Sequence, residues 1–310
     1  MKFLLIGGNG FIGSHLIDVL LRNNHNVRVF DIAYERYREP IKNVDYRIAS
    51  LDDLPSLYEA MLGIDIVVHL VSASVPSTSN LDAISDVNKN LISTLNILDG
   101  LIKLGIKRLV YFSSGGAVYG NTTVKTINEE HHFNPISSYG IIKATIEHYL
   151  SLYKVIYGLN TLILRPSNPY GPRQGHFIAQ GVISTFLKKV QKGEPLSVFG
   201  DGHSSKDYIY IEDLVELCYN LCLTCEEGAY NLGSGNGTNL LSIIDIINKV
   251  TNKKNEVNFS EYKSYDVSNF VLDISKLKNK IGDFSLTELD KGIAKTWDWI
   301  CKNEQTLINK

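Results

Sequence analysis

Lys2-Phe3-Leu4-Leu5-Ile6-Gly7-Gly8-Asn9-Gly10-Phe11-Ile12-Gly13 decides how the rest of the chain reads. Its first five residues are an apolar run of the length expected for a fully buried strand. The run breaks at the glycines, and apolar residues then recur at helical spacing through Leu21. Strand, glycine turn and helix form the first half of a dinucleotide-binding βαβ unit. Gly7 suits the tight turn and Gly10 the close approach of backbone to a pyrophosphate. Gly13 lets the helix pack close to the strand, and the free N–H groups of the helix start face the phosphates. The spacing is Gly-x-x-Gly-x-x-Gly, not the commoner Gly-x-Gly-x-x-Gly, so the loop needs support from its context.

A second strand, Val27-Arg28-Val29-Phe30, ends at Asp31, 24 residues after Gly7. A carboxylate there accepts both ribose hydroxyls of an adenosine and repels a 2′-phosphate, which favours NAD over NADP. Arg36 and Arg38 work against that preference, because a basic loop can reach a phosphate. Further strands are expected over 44–50, 64–71 and Arg108–Phe112, with helices over 52–62 and 81–104. Strands alternating with helices on continuous apolar runs predict a doubly wound parallel α/β sheet covered on both faces. Ligands then bind beyond the carboxyl ends of the strands, where the loops 7–13, Asp31, 70–74 and 113–120 gather.

Pro135-Ile136-Ser137-Ser138-Tyr139-Gly140-Ile141-Ile142-Lys143 opens a helix expected to run to about Tyr157. Tyr139 and Lys143 are one turn apart on one face. An ammonium near a phenol favours phenolate, so the pairing predicts a Tyr139 pKa below the usual ~10. Such a tyrosine serves as general acid/base on a sugar or steroid hydroxyl. The motif acquires this meaning from the dinucleotide fold around it, since the chain has 17 tyrosines.

At 310 residues the chain fits one large α/β domain, or a core domain with a smaller lobe. A net charge of -2 gives no general attraction to nucleic acid. No apolar run approaches the ~18 residues of a membrane span, and the glycine turn cuts the apolar start too short for a signal peptide. A cytoplasmic protein is the expectation. Cys218, Cys222 and Cys225 share one face of a helix expected over 213–225, but no fourth ligand stands at finger-like spacing. They read as buried small side chains, with no metal.

The glycine loop, Asp31, Ser113-Ser114-Gly115-Gly116-Ala117-Val118-Tyr119-Gly120 and Tyr139-Gly-x-x-Lys143 together resemble the extended short-chain dehydrogenase/reductases, a Rossmann family. Within them the chain is similar to the nucleotide-sugar epimerases and dehydratases, and most to UDP-hexose 4-epimerases. The likeness continues through Leu164-Arg165-Pro166-Ser167-Asn168-Pro169-Tyr170-Gly171, Val198-Phe199-Gly200-Asp201-Gly202, Lys206-Asp207-Tyr208 and Tyr230-Asn231-Leu232-Gly233. It implies an NAD-binding domain over 1–168, rejoined by 206–234, and a nucleotide-sugar lobe over 169–310. It implies cofactor contacts from Gly7, Gly10, Phe11, Ile12, Gly13, Asp31, Ile32, Ser50, Leu51, Leu70, Val71, Ser72, Asn88, Ser113 and Pro166. Tyr139, Lys143 and Ser114 would be catalytic. Ser74, Ser114, Gly115, Asn168, Val198, Phe199, Lys206, Tyr208, Lys263 and Asp266 would meet the sugar nucleotide. A homodimer through the 81–104 and 139–157 helices is also implied.

Five positions depart from the family pattern. Gly115 stands where a catalytic Ser or Thr is usual, and Ser114 or a water then orients the substrate hydroxyl. Ala117 removes another hydroxyl, Lys206 and Lys263 replace arginines, and Ser50 replaces an aspartate against the adenine. Two activities remain open: a 4-epimerase that makes surface polysaccharide precursors and regenerates NAD each cycle, or a 4-ketoreductase that must exchange its cofactor. A dehydratase is disfavoured, because Gly116-Ala117 cannot replace that group's Asp-Glu pair. A non-catalytic NAD sensor is disfavoured by the presence of both Tyr139 and Lys143.

Overall fold

The computed structural model describes all residues except 36, 176–180, 225–226, 262–266, 268 and 309–310, and the side chains of 304–308. Its strands, in chain order, are β1 Lys2–Ile6, β2 Asn26–Asp31, β3 Val44–Ile48, β4 Ile66–His69, β5 Arg108–Phe112, β6 Asn160–Pro166, β7 Asn168–Tyr170, β8 Leu196–Phe199, β9 Ser205–Tyr210, β10 Gly228–Leu232, β11 Gly237–Asn239 and β12 Val257–Ser260. Seven form one parallel sheet in the order β10-β6-β5-β4-β1-β2-β3. The chain leaves β1 in both directions, so the crevice for a ligand opens at the carboxyl ends of β1 and β4.

The helices are α1 Phe11–Arg22, α2 Leu54–Met61, α3 Ala83–Asp86, α4 Ser93–Lys103, α5 Gly115–Val118, α6 Ser138–Tyr157, α7 Val182–Lys192, α8 Ile211–Thr224, α9 Leu240–Thr251, α10 Ser275–Ile281 and α11 Leu289–Ile308. Strand alternation sends side chains to both faces of the sheet. Phe3 and Leu5 of β1 join Leu16 and Leu20 of α1 and Val215 of α8. Leu4 and Ile6 join Leu57 of α2, Leu98 of α4 and Leu150 of α6. Both faces are therefore covered, as the unbroken apolar runs require. The small sheets β11-β9-β7 and β12-β8, with α7, α9 and α11, lie apart from the seven-stranded sheet. They continue the Phe3 and Leu5 side of its core through Leu187, Val198, Ile209, Ile243 and Ile293.

The helix expected over 81–104 is not continuous. A 3₁₀ turn, Ser79–Leu81, ends at Asp82, whose extended backbone and side chain cap α3 by accepting from Ser85 N at 2.9 Å. A π-helical turn, Val87–Ile92, then joins α3 to α4. Asp and Asn side chains compete with helical hydrogen bonding, which is why apolar spacing alone overruns this break. The helix expected over 213–225 is α8, with Cys218 and Cys222 buried; Cys225 lies outside the described residues.

Candidate active site

The glycine loop is built by steric demand. Gly7 has φ +83°, and a Cβ there would fall 2.7 Å from Val71 Cγ2. A Cβ on Gly13 would fall 2.5 Å from the Gly8 carbonyl oxygen. Gly10 caps α1 with no side-chain hydrogen bond, which leaves the first amides of the helix for an anion. Asp31, at the end of β2, accepts from Asn9 N at 3.0 Å and from Ile32 N at 2.8 Å. Burial raises its pKa, and those backbone donors oppose the rise. Arg38 is held by Glu35 at 3.0 Å, by the Ser14 carbonyl at 3.0 Å and by Asp18. It is thus committed to three acceptors, and Arg36 lies outside the described residues.

α6 carries the Tyr139 and Lys143 side chains. Ser137 caps it by accepting from Gly140 N, and Gly158 closes it in the left-handed conformation, φ 66°. The Ser114 side chain lies beside the Tyr139 phenol and draws its pKa down. Lys143 Nζ donates to the Phe112 carbonyl at 2.7 Å and lies over the Tyr111 and Tyr139 rings, 4.8 and 5.7 Å from their centres. The pKa of Tyr139 is raised to about 12, not lowered: burial outweighs the lowering effect of Ser114, and Asp86 adds a repelling charge. Lys143 falls to about 8, again through burial.

These features fit a dinucleotide. The uncapped start of α1 suits its pyrophosphate, the glycines leave room for close backbone approach, and Asp31 suits a ribose. A profile described as the NAD dependent epimerase/dehydratase family matches residues 3–233. The chain belongs to the NAD dependent epimerase/dehydratase family. A UDP-glucose 4-epimerase of Thermotoga maritima, solved with UDP-glucose, shares 31% identity at TM-score 0.93, over 98% of this chain and 100% of that one. A UDP-glucose 4-epimerase of Thermus thermophilus, solved with NAD, shares 32% at TM-score 0.91, over 97% and 99%. An Escherichia coli dTDP-4-dehydro-6-deoxyglucose reductase is 30% identical, over 94% of this chain and 95% of the relative.

Not every residue implied by the family stands where it was expected. Asn88 is exposed, whereas Asn90 is 9% exposed and accepts from Ala73 N at 2.8 Å. The π-turn carries Asn90, not Asn88, to the wall beside Tyr139 and Lys143. Ser113 is 4% exposed, and its hydroxyl donates to Glu147, so that side chain serves the core. Val198 is fully buried and Tyr208 nearly so, which leaves Phe199, 40% exposed, on the surface of β8. Asn168 donates to the Asp207 carbonyl at 2.8 Å and pairs in register with Tyr208. Lys206 lies on β9, opposite Thr238. Lys263 and Asp266 lie outside the described residues. Ile32 is 75% exposed at the end of β2, and Ser50 Oγ donates to Asp52 at 3.2 Å, so a carboxylate does adjoin the serine that replaces the usual aspartate. Leu51, Leu70, Val71 and Ser74 are partly buried and Ser72 is exposed at the same sheet edge, and Pro166 ends β6 in the core.

Several residues of this site escaped the sequence reading. Glu147 accepts from Arg165 at 2.6 Å and from Ser113 at 2.5 Å, with both side chains of the ion pair under 8% exposed. It extends the Tyr139–Lys143 stripe by four residues, and that spacing was its available signal. Asp207 is fully buried and collects Ser234 N, Ser234 Oγ, Gly235 N and Leu272 N. It ties β9 to the loop between β10 and β11 and to the segment before α10.

Proposed function

We propose that the protein is an NAD-dependent 4-epimerase of a UDP-activated hexose, of the UDP-glucose or UDP-N-acetylglucosamine kind, acting through a transient 4-keto sugar. The observation that carries this reading is the Tyr139 phenol, beside Ser114 and backed by Lys143, at the sheet edge that bears the glycine loop. Burial holds the Tyr139 phenol protonated in the NAD-free chain. With NAD bound, its cationic nicotinamide and the Lys143 ammonium would favour the phenolate, which takes the proton of the sugar's 4-hydroxyl while Ser114 orients that hydroxyl. NAD, when bound, supplies reversible hydride exchange at C4. Lys143 keeps a positive charge near the phenol, and Tyr139 returns the proton once the keto sugar has turned over. Hydride goes back to the same carbon, so net redox is zero.

The lobe over 169–310 serves the sugar nucleotide, with Asn168 and Lys206 as contacts and Lys263 and Asp266, outside the described residues, added on the family resemblance alone. UDP is favoured over dTDP by the two solved epimerases. The similarity to the Escherichia coli reductase supports a second reading, a 4-ketoreductase of a nucleotide-activated 4-keto-6-deoxyhexose. A panel of UDP- and dTDP-sugars separates the two. Interconversion of C4 epimers without added NADH supports the first, and stoichiometric NADH oxidation by a 4-keto sugar supports the second.

A cytoplasmic homodimer completes the proposal. Leu81, Ile84, Ile141 and Val155 are 83%, 77%, 53% and 84% exposed on neighbouring helical segments, an apolar surface suited to a second copy. No helix among the described residues is long and apolar enough to cross a membrane. Sedimentation at twice 34.7 kDa supports the dimer, and sedimentation at the monomer mass opposes it.

A further inference from the structure

Asp86 ends α3 with 4% exposure, beside the catalytic helix. Its Oδ1 accepts from Ser74 Oγ at 2.5 Å and from Asn90 Nδ2 at 2.7 Å, and its Oδ2 accepts from Ser138 Oγ at 2.7 Å. Ser74 belongs to the loop after β4, and Ser138 directly precedes Tyr139. Asn90 holds the same loop a second time, by accepting from Ala73 N. A carboxylate that closes three such bonds couples the ligand edge of β4 to the first turn of α6. A cavity of about 10 Å³, room for roughly one water, lies among Ser74, Asp86, Asn90, Thr94, Tyr139 and Lys143.

The charges around this cavity come from four elements. Asp86 faces both Tyr139 and Lys143. Glu147, one turn further along α6, also faces Lys143. His69 of β4 faces Lys143, and burial pushes it down to about 3. Tyr111 of β5 faces Tyr139, and burial pushes it up. Both therefore stay neutral near pH 7, and Asp86 is left as the negative charge facing the phenol.

We infer that Asp86 is a positioning residue for the reaction proposed above, on which this inference rests: it fastens the loop after β4 to the catalytic helix and keeps a negative charge beside Tyr139 and Lys143. A phenolate formed beside a carboxylate is the stronger base, and the neighbouring ammonium holds its proton to higher pH. The same three bonds fix the distance between Ser74 and Tyr139.

Tyrosine ¹³Cζ NMR of the NAD-bound protein, with Tyr139→Phe to assign the resonance, reads the titration of the phenol without turnover. In Asp86→Asn its midpoint is expected to fall by about half a pH unit or more. Both limbs of the kcat/KM profile should move to lower pH with it. A midpoint that stays where it is in the unaltered protein overturns the inference. If Asp86→Asn does not fold, Ser138→Ala decides, because it removes one tether and keeps the charge. Its kcat is expected to fall about three-fold or more at unchanged KM, and an unchanged kcat overturns the positioning role. Failure of the unaltered protein to turn over any nucleotide sugar would sink the epimerase reading, and the NMR titration would still decide the role of Asp86.

Discussion

The Lys143 ammonium lies over the Tyr139 ring, 5.7 Å from its centre, and donates to the Phe112 carbonyl. It is thus close enough to bias the phenol, but in this arrangement burial dominates both groups. The folded pKa of Lys143, about 8, is below its ordinary 10.5. Below pH 8 both folded and unfolded chains hold that proton, and the folding penalty is fully present. Between pH 8 and 10.5 the unfolded chain binds more protons, so stability rises with pH. Urea unfolding of the NAD-free protein should therefore show stability rising relative to Lys143→Met across this window, by an upper bound of roughly 3 kcal/mol. A constant difference between the two would contradict the burial of a charged lysine.

Cofactor choice rests on Asp31 and on Arg38 being tied to Glu35, Asp18 and Ser14. NAD is expected to bind at least ten-fold more tightly than NADP, about 1.4 kcal/mol. Titration of Asp31→Ala should narrow that gap. Equal dissociation constants in the unaltered protein would place a cation at the 2′-phosphate and refute the preference.

We propose that Ser114 supplies the hydroxyl that Gly115 lacks. Ser114→Ala is expected to lower kcat about ten-fold or more, by loss of orientation at the phenol. Gly115→Ser should not rescue it. A Cβ at Gly115 would fall 3.1 Å from Leu272 Cδ1 and 3.2 Å from the Arg165 carbonyl oxygen, and backbone cannot yield as a side chain does. Overpacking of this kind costs about 1–3 kcal/mol, read as a lower urea midpoint. Restored turnover in the double variant would show that the loop opens more than this geometry allows.

Glu147 and Arg165 form a buried ion pair that also engages Ser113, Tyr119 and the Glu129 carbonyl. Glu147→Ala leaves the guanidinium without its carboxylate, and removal of one partner of such a pair costs about 3–5 kcal/mol. Urea unfolding should show that loss, and a change under about 1 kcal/mol would mean that water replaces the carboxylate.

The sheet and the cofactor edge were legible because apolar runs, glycines and a strand-end Asp31 act locally. The π-turn was not legible, since the choice between Asn88 and Asn90 depends on one inserted residue in a helix whose apolar spacing barely changes. The direction of the Tyr139 shift was misread for a related reason. Spacing places Lys143 one turn away, but only three-dimensional packing shows how much water both groups lose and that Asp86 stands opposite. Asp207 is a lone acidic residue in the sequence, and its four donors come from β10–β11 and the segment before α10.

Turnover of Tyr139→Phe on the UDP-hexose accepted by the unaltered protein tests the central claim most directly. The substitution keeps the ring and removes the proton that the mechanism transfers, and a positioned acid/base is worth about 10²–10⁴ in rate. The account predicts a loss of kcat of that order with NAD still bound. Near-normal turnover by Tyr139→Phe would contradict it.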